Sequence, residues 1–423
     1  MHDELLCDLE ADVLERLLRY VRIDTQSMAE ATSYPSTPGQ LDLLRLLLQE
    51  LIDLGYTDAT LDRFGYVTAA LPSTLPTTGD QPPVIAFFAH VDTSPDAPGK
   101  DVQPIVWPKY AGGEIVLPGD PTMVLSPAES PPLATHIGHD IVTSDGRTLL
   151  GADDKAGVAA AMAAAAYLIS HRDVPHGVIK FAFNPDEEVG HGVDHFDIEA
   201  FGATYAYTLD AGDAGEVEDE TFSADAVTLR FFGRSAHPGY AKGKLVNAIK
   251  VAADFVAALT REAPAPEGTA GREGFVHPTS ISGAAEEAVV KLIVRDFQTS
   301  ELAQKEELLR HLAQAAVERH AGSRFDLTIV EQYRNMHDVL VNYPRVTALA
   351  DEAVRRVGLQ PVHRPIRGGT DGSRLCAMGL PTPNIFAGWQ MIHSRREWVS
   401  VQDMAKAAQV IIELAKLWGT EAA

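Results

Sequence analysis

Five apolar runs in this chain end on an acidic residue or a histidine, and no other feature limits the possible fold as much. His90 and Asp92 follow Val84 to Ala89, and Asp153 follows Leu149-Leu150. Glu187 and Glu188 follow Phe181 to Asn184, Asp210 follows Tyr205 to Leu209, and His393 comes shortly after the apolar stretch near Ile385. The runs read as buried strands. Carboxylates are costly to bury unless they are paired or coordinate a positive charge. In open α/β sheets, ligands gather outside the carboxyl ends of the strands. Five such ends with this donor set imply a single site. A pair of divalent metals with a carboxylate base beside them, the equipment of a hydrolase, accounts for it most simply.

The rest of the chain supplies the layers such a site needs. Leucines and valines at helical spacing predict a helix over 5–21, and a second is predicted over 40–54, stopped by Gly55. Strands are expected at 67–71, 84–89, 178–184 and 205–209, with a helix over 154–170 whose acidic first turn suits its dipole. Residues 93–148, rich in Pro, Gly and Asp, read as a long excursion with short hairpins. After Gly215 the rhythm becomes strand 226–232, helix 244–261, strands 279–282 and 289–296, helix 299–320 and strand 325–331, a split βαβ order. From about Met336 the first pattern resumes, with a helix over 343–357, a strand over 383–386 and a helix over 401–417. The expected fold class is α/β: a mainly parallel sheet flanked by helices. The catalytic domain is split into residues 1–221 and 336–423, and an inserted α+β lid occupies 222–335.

Bulk properties narrow the function class. The net charge is −24 and the pI about 4.9, so a nucleic-acid partner would find no basic footprint. No apolar run reaches the roughly 18 to 20 residues of a membrane helix, so no membrane role is expected. Met1-His2-Asp3-Glu4 does not open a secretory signal, and two cysteines make no disulfide framework, so the expected location is cytoplasmic.

Longer strings carry a resemblance. They include Arg19-Tyr20-Val21, Tyr34-Pro35-Ser36-Thr37-Pro38-Gly39-Gln40, Leu149 to Gly157, Pro185 to Gly190, His237-Pro238-Gly239, Arg295-Asp296-Phe297 and Pro365 to Gly372. With His90-Val91-Asp92 and Glu187-Glu188, the chain resembles the di-zinc metallopeptidase family that holds the glutamate carboxypeptidase and aminoacylase types. The longer strings narrow it to the tripeptide-aminopeptidase (peptidase T) branch.

The resemblance implies two Zn²⁺ bridged by Asp153 and a water or hydroxide. One metal also takes His90 and Asp210, and the other Glu188 and His393. Glu187 is then the general base, and Asp92 holds the His90 ring. Co²⁺ or Mn²⁺ would suit the same ligands. The resemblance also implies a cis peptide between Asp153 and Asp154, substrate contacts from His237, Arg295 and Arg367, and a possible homodimer through the lid. The implied activity is hydrolysis of the N-terminal bond of short peptides, preferably tripeptides. A di-metal dipeptidase, an N-acyl-amino-acid deacylase and a non-catalytic metal-binding scaffold are the rivals.

The chain departs from the family at Gly388-Trp389-Gln390-Met391-Ile392, where Trp389 is expected to narrow the pocket. Gly368, Gly369 and Gly372 read as letting the backbone approach the active site closely rather than as a phosphate loop. His136, His139, His191 and His195 read as loop residues apart from the cluster.

Overall fold

The computed structural model describes residues 2–76 and 81–420; the expected catalytic segments end on Met1 and Ala423, outside that range. The chain forms two compact units. The first comprises Met1–Asp219, Val339–Arg364 and Thr370–Ala423, and the second Glu220–Asp338 and Pro365–Gly369.

In the first unit seven strands lie in the order Thr60–Leu61, Val67–Leu71, Ile179–Asn184, Ile85–His90, Tyr205–Ala211, Asn384–Phe386, Val217–Glu218. The four inner members, from Ile179–Asn184 to Asn384–Phe386, run parallel, and the three outer strands pair antiparallel. Ile85–His90 is buried along its whole length. Ile85, Phe87 and Ala89 enter the larger core, while Ala86 and Phe88 enter a second core with Phe196, Phe201 and Leu375. A strand covered on both faces has to read as a continuous apolar run, and this one does.

The Ala152–Ser170 helix is buried on nearly every side, against helices His2–Tyr20 and Val401–Thr420 and the sheet. Its alanines allow that packing, and Gly157 is its closest point. A Cβ there would lie 2.3 Å from the Leu209 carbonyl oxygen. Among the described residues no helix is long and apolar enough to cross a membrane.

Two expectations are corrected here. Leu149-Leu150 forms no strand. Its N–H groups go to the Pro98 carbonyl (2.9 Å) and the Glu397 carboxylate (2.7 Å) instead of a ladder. The 93–148 excursion is also not built from its own hairpins alone. Ile115–Val116 and Val124–Leu125 do pair locally. Ile105–Trp107 and Ile141–Thr143, however, join Trp398–Ser400 and Trp389–Gln390 in a four-stranded sheet.

The second unit is an antiparallel sheet in the order Phe275–Gly283, Glu287–Asp296, Ser223–Phe232, Arg324–Tyr333. Helices Ala248–Glu262 and Thr299–Arg319 pack against it, completing the strand–helix–strand–strand–helix–strand order. The first helix begins at Ala248 rather than residue 244, because Asn247 Oδ1 caps it by accepting the Ile249 N–H at 2.9 Å. Pro365–Gly369 belongs to this unit, although the expected catalytic segment included it. The Ile366 N–H donates to the Glu220 carbonyl (2.8 Å) and its carbonyl accepts from Phe222 (3.0 Å).

Candidate metal centre

The parallel strands bring their carboxyl ends side by side. His90 is the last residue of Ile85–His90, Asp210 the next to last of Tyr205–Ala211, and Glu187 and Glu188 sit in the turn after Ile179–Asn184. Asp153 arrives from elsewhere. It lies at the start of the Ala152–Ser170 helix with non-helical φ −83° and ψ 106°, and the Asp153–Asp154 peptide is cis. His393 follows Trp389–Gln390 in a turn where it adopts φ 58°.

The predicted donors converge. His90 Nε2 lies 3.2 Å from Asp153 Oδ1, 3.9 Å from Asp210 Oδ1 and 4.0 Å from Glu187 Oε2. His393 Nε2 lies 2.9 Å from Glu188 Oε2 and 3.4 Å from Asp153 Oδ2. The two oxygens of Asp153 therefore face two different imidazoles. Both rings have their other nitrogen occupied, which leaves Nε2 toward the centre: His90 Nδ1 lies 3.2 Å from the Asp92 carbonyl and 3.3 Å from its Oδ1, and His393 Nδ1 lies 3.2 Å from Asp96 Oδ2.

Carboxylates crowded in this way are costly unless they are protonated or face a positive charge. Burial pushes the Glu187 carboxyl well above its usual range, with Asp210, Asp371 and Glu188 adding to the push. Asp210 is raised in the same way by burial and Asp153, and Glu188 is pushed up to about 7. Asp153 is buried too, but hydrogen bonds from His393 and His90 hold it at about 2. The same contacts, with Glu188, raise His393 to about 11 against its burial.

Two buried oxygens, Glu188 Oε1 and Asp154 Oδ2, have no hydrogen-bond partner. Three groups each offer one donor atom per residue within 4.8 Å: His90, Glu187 and Asp210; His90, Asp153 and Glu188; Asp153, Asp154 and Asp210. Nitrogen and oxygen donors in this mixture fit divalent zinc, cobalt or manganese.

A second ring of carboxylates holds the donors. Asp92 is fully buried. Besides His90 it accepts the backbone N–H groups of Glu187 (3.0 Å) and Glu188 (3.1 Å). Asp186 sits at φ 60° just before them. Its carboxylate accepts from Ser36 N (2.6 Å), the Ser36 hydroxyl and Gln40 Nε2 (2.7 Å). The 34–40 string thus anchors the Glu187-Glu188 turn, a role its sequence did not reveal. Asp371, whose Oδ2 accepts from Asn184 Nδ2 at 2.5 Å, and Glu397, four residues after His393, also stand here, and the sequence assigned neither a role.

His136 and His139 are not bare loop residues. They meet Asp403, with His136 Nε2 2.6 Å from Asp403 Oδ2 and His139 Nδ1 2.8 Å from Ser400 Oγ. With Asp403 they form a fourth group offering one donor atom per residue within 4.8 Å, and its atoms are hydrogen-bonded to one another and to Ser400. His191 pairs with Asp194, and His195 stacks on Phe64.

His237, Arg295 and Arg367 all belong to the second unit. His237 is exposed, its Nδ1 accepting the Gly239 N–H at 3.1 Å. Arg295 lies over Tyr333 (4.9 Å) and donates to Gln332. Arg367, expected from the catalytic domain, donates to the carbonyls of Gly271 and Glu273 and to Thr269 Oγ1, all in its own unit. Gly369 and Gly372 are close approaches, to the Tyr333 ring and to Asn384 Oδ1; Gly368 is not. Trp389 packs on Gly212, two residues beyond Asp210.

Comparison with known proteins places the chain. The family model described as Peptidase family M20/M25/M40 matches residues 142–417. A peptidase T of Geobacillus thermodenitrificans (strain NG80-2) is 44% identical over 410 residues, 97% of this chain and 99% of that protein. The crystal structure of aminopeptidase PepT from Bacillus cereus ATCC 10987 shares the fold with a TM-score of 0.74 at 22% identity, covering 97% of this chain and 98% of that one. A tripeptidase from Staphylococcus aureus subsp. aureus mu50 does so with a TM-score of 0.75, again at 22% identity and with the same coverage. The chain belongs to peptidase family M20/M25/M40 and, within it, to the peptidase T group.

Proposed function

We infer that this peptidase is a tripeptide aminopeptidase working with two divalent metals. His90, Asp153 and Asp210 would hold one metal, and His393, Asp153 and Glu188 the other. The carrying observation is Asp153, whose Oδ1 and Oδ2 face His90 and His393 respectively at 3.2 and 3.4 Å. One carboxylate can then serve two metals, as paired sites roughly 3.5–4 Å apart require. Metals so held polarise a carbonyl and lower the pKa of water.

The chain's own residues do the rest. Asp92 orients His90 and the Glu187-Glu188 turn. A Glu187 carboxylate oxygen holds the proton lost by the attacking water and passes it to the leaving amine nitrogen. His237, exposed on the second unit, is the candidate for substrate contact. The preference for tripeptides rests on the peptidase T relatives and the tripeptidase structure.

The test is a matched series of a dipeptide, a tripeptide, a tetrapeptide and an N-acetylated tripeptide, with a chelator control. Chelator-sensitive release of the first residue, fastest from the free tripeptide, is expected. Faster cleavage of the acetylated or dipeptide substrate would overturn the specificity, and no turnover with metal bound would overturn the enzyme reading.

A further inference from the structure

Glu397 ligates nothing in the proposed site, yet its carboxylate joins the two segments that must meet there. The residue is 1% exposed. Its Oε2 accepts the N–H groups of Leu150 (2.7 Å) and Gly151 (2.8 Å), and its Oε1 that of Asp153 (2.9 Å). Leu150 and Gly151 lead into the Ala152–Ser170 helix and Asp153 stands in its non-helical first turn, so these N–H groups have no helical partner. Gly151, at the cap position, offers no side chain. The cap comes instead from a residue 244 positions away, and a negative charge suits that end of the dipole.

On its own side Glu397 follows His393 by four residues. Its N–H donates to the Ser394 carbonyl (3.3 Å), and the adjoining Trp398–Ser400 strand pairs with Ile141–Thr143. The His393 turn is therefore short and pinned at its far end. Three hydrogen bonds accepted by one carboxylate connect this pinned end to the backbone from Leu150 to Asp153. Across the site, Asp153 Oδ2 and His393 Nε2 stand 3.4 Å apart, a spacing that a shift of either segment would change.

We propose that Glu397 is a positioning residue for the metal centre: its carboxylate fixes Asp153 relative to His393, so metal affinity depends on a side chain outside the ligand set. The proposal rests on the two-metal reading above. Two variants test it. Glu397→Gln keeps the volume but turns an amide donor toward one of the three N–H groups. Glu397→Asp keeps the charge and draws it back by one methylene.

Wild type, both variants and His393→Ala, all metal-free, are titrated with zinc against a chromophoric chelator, and the melting temperature of each is recorded. Glu397→Gln is expected to weaken zinc binding about 10- to 100-fold, and Glu397→Asp by less. A capping role alone would lower the melting temperature and leave zinc affinity within about twofold of wild type, and that result overturns the proposal. Should Glu397→Gln not fold, Glu397→Asp decides by the same criterion. Failure of the wild type to bind zinc would sink the two-metal reading instead, so the two failures are distinguishable.

Discussion

Asp92→Asn removes one charge and turns one acceptor into a donor, with almost no change in volume. The carboxylate is fully buried and takes three N–H groups: His90 Nδ1 (3.3 Å) and Glu187 N (3.0 Å) on Oδ1, and Glu188 N (3.1 Å) on Oδ2. An asparagine oxygen in the Oδ1 position keeps the first two, now as bonds to a neutral acceptor. Its amide then faces the Glu188 N–H. Hydrogen bonds to a charged group contribute about 1.5–3 kcal/mol and neutral ones about 0.5–1.5, so weakening two costs about 2 kcal/mol. A donor left facing a donor adds about 1–3 kcal/mol. Part of that total falls on stability and part on the placement of His90, Glu187 and Glu188.

If about 2 kcal/mol reaches the reaction, kcat/KM falls by about 30-fold, at 1.36 kcal/mol per factor of ten. The expected range is about 10- to 100-fold, with Asp92→Ala at least as damaging because the Glu187 and Glu188 N–H groups lose their acceptor and His90 Nδ1 keeps only the Asp92 carbonyl. The assay is kcat/KM on a tripeptide at saturating metal, with zinc affinity measured in parallel. If both folded variants keep kcat/KM and affinity within about twofold of wild type, Asp92 does not organise the site and the reasoning fails.

Three other perturbations have defined outcomes. Glu187→Gln should lower turnover by about 10² to 10⁴ while elemental analysis still finds metal, and near-normal turnover would remove it as the base. Gly157→Ala places a Cβ 2.3 Å from a backbone carbonyl that cannot move aside, so overpacking should destabilise the chain by about 1–3 kcal/mol in urea unfolding; an unchanged midpoint would contradict the close approach. His136 is partly buried, which lowers its pKa, but the hydrogen bond and charge of Asp403 outweigh that and raise it above the ordinary value. Its ion pair therefore stabilises fully below the ordinary histidine pKa of about 6.5 and is lost as pH rises through the raised value. The urea midpoint difference between wild type and Asp403→Asn should accordingly be larger at acidic than at alkaline pH, and equal differences would refute the pairing.

The clustered donors were more legible in the sequence than the residues that support them. His90, Glu187 and Asp210 follow apolar runs that are buried strands, and burial on both faces makes such runs read as continuous short apolar segments. Asp153 is legible as a candidate donor from its string, but not its origin, because Leu149-Leu150 looks like a strand and hydrogen-bonds to a loop and to Glu397. The anchoring contacts join residues far apart in sequence, such as Ser36 to Asp186 and Glu397 to Asp153. A single carboxylate carries no periodic signature of the partner it will meet. The same holds for Trp398–Ser400, whose pairing with Ile141–Thr143 is a long-range contact that no local pattern announces. Arg367 is expected from its string as a substrate contact, and the structure adds hydrogen bonds to Gly271, Glu273 and Thr269 that its string did not announce.

The central claim is that one carboxylate, Asp153, serves two metals. Titrating the metal-free chain with zinc while following release of the first residue from a tripeptide tests it most directly. Activity should rise to a plateau at two equivalents per chain, and Asp153→Ala should abolish both binding events. Activity without metal, or an Asp153→Ala chain that still binds two equivalents at wild-type affinity, would contradict it.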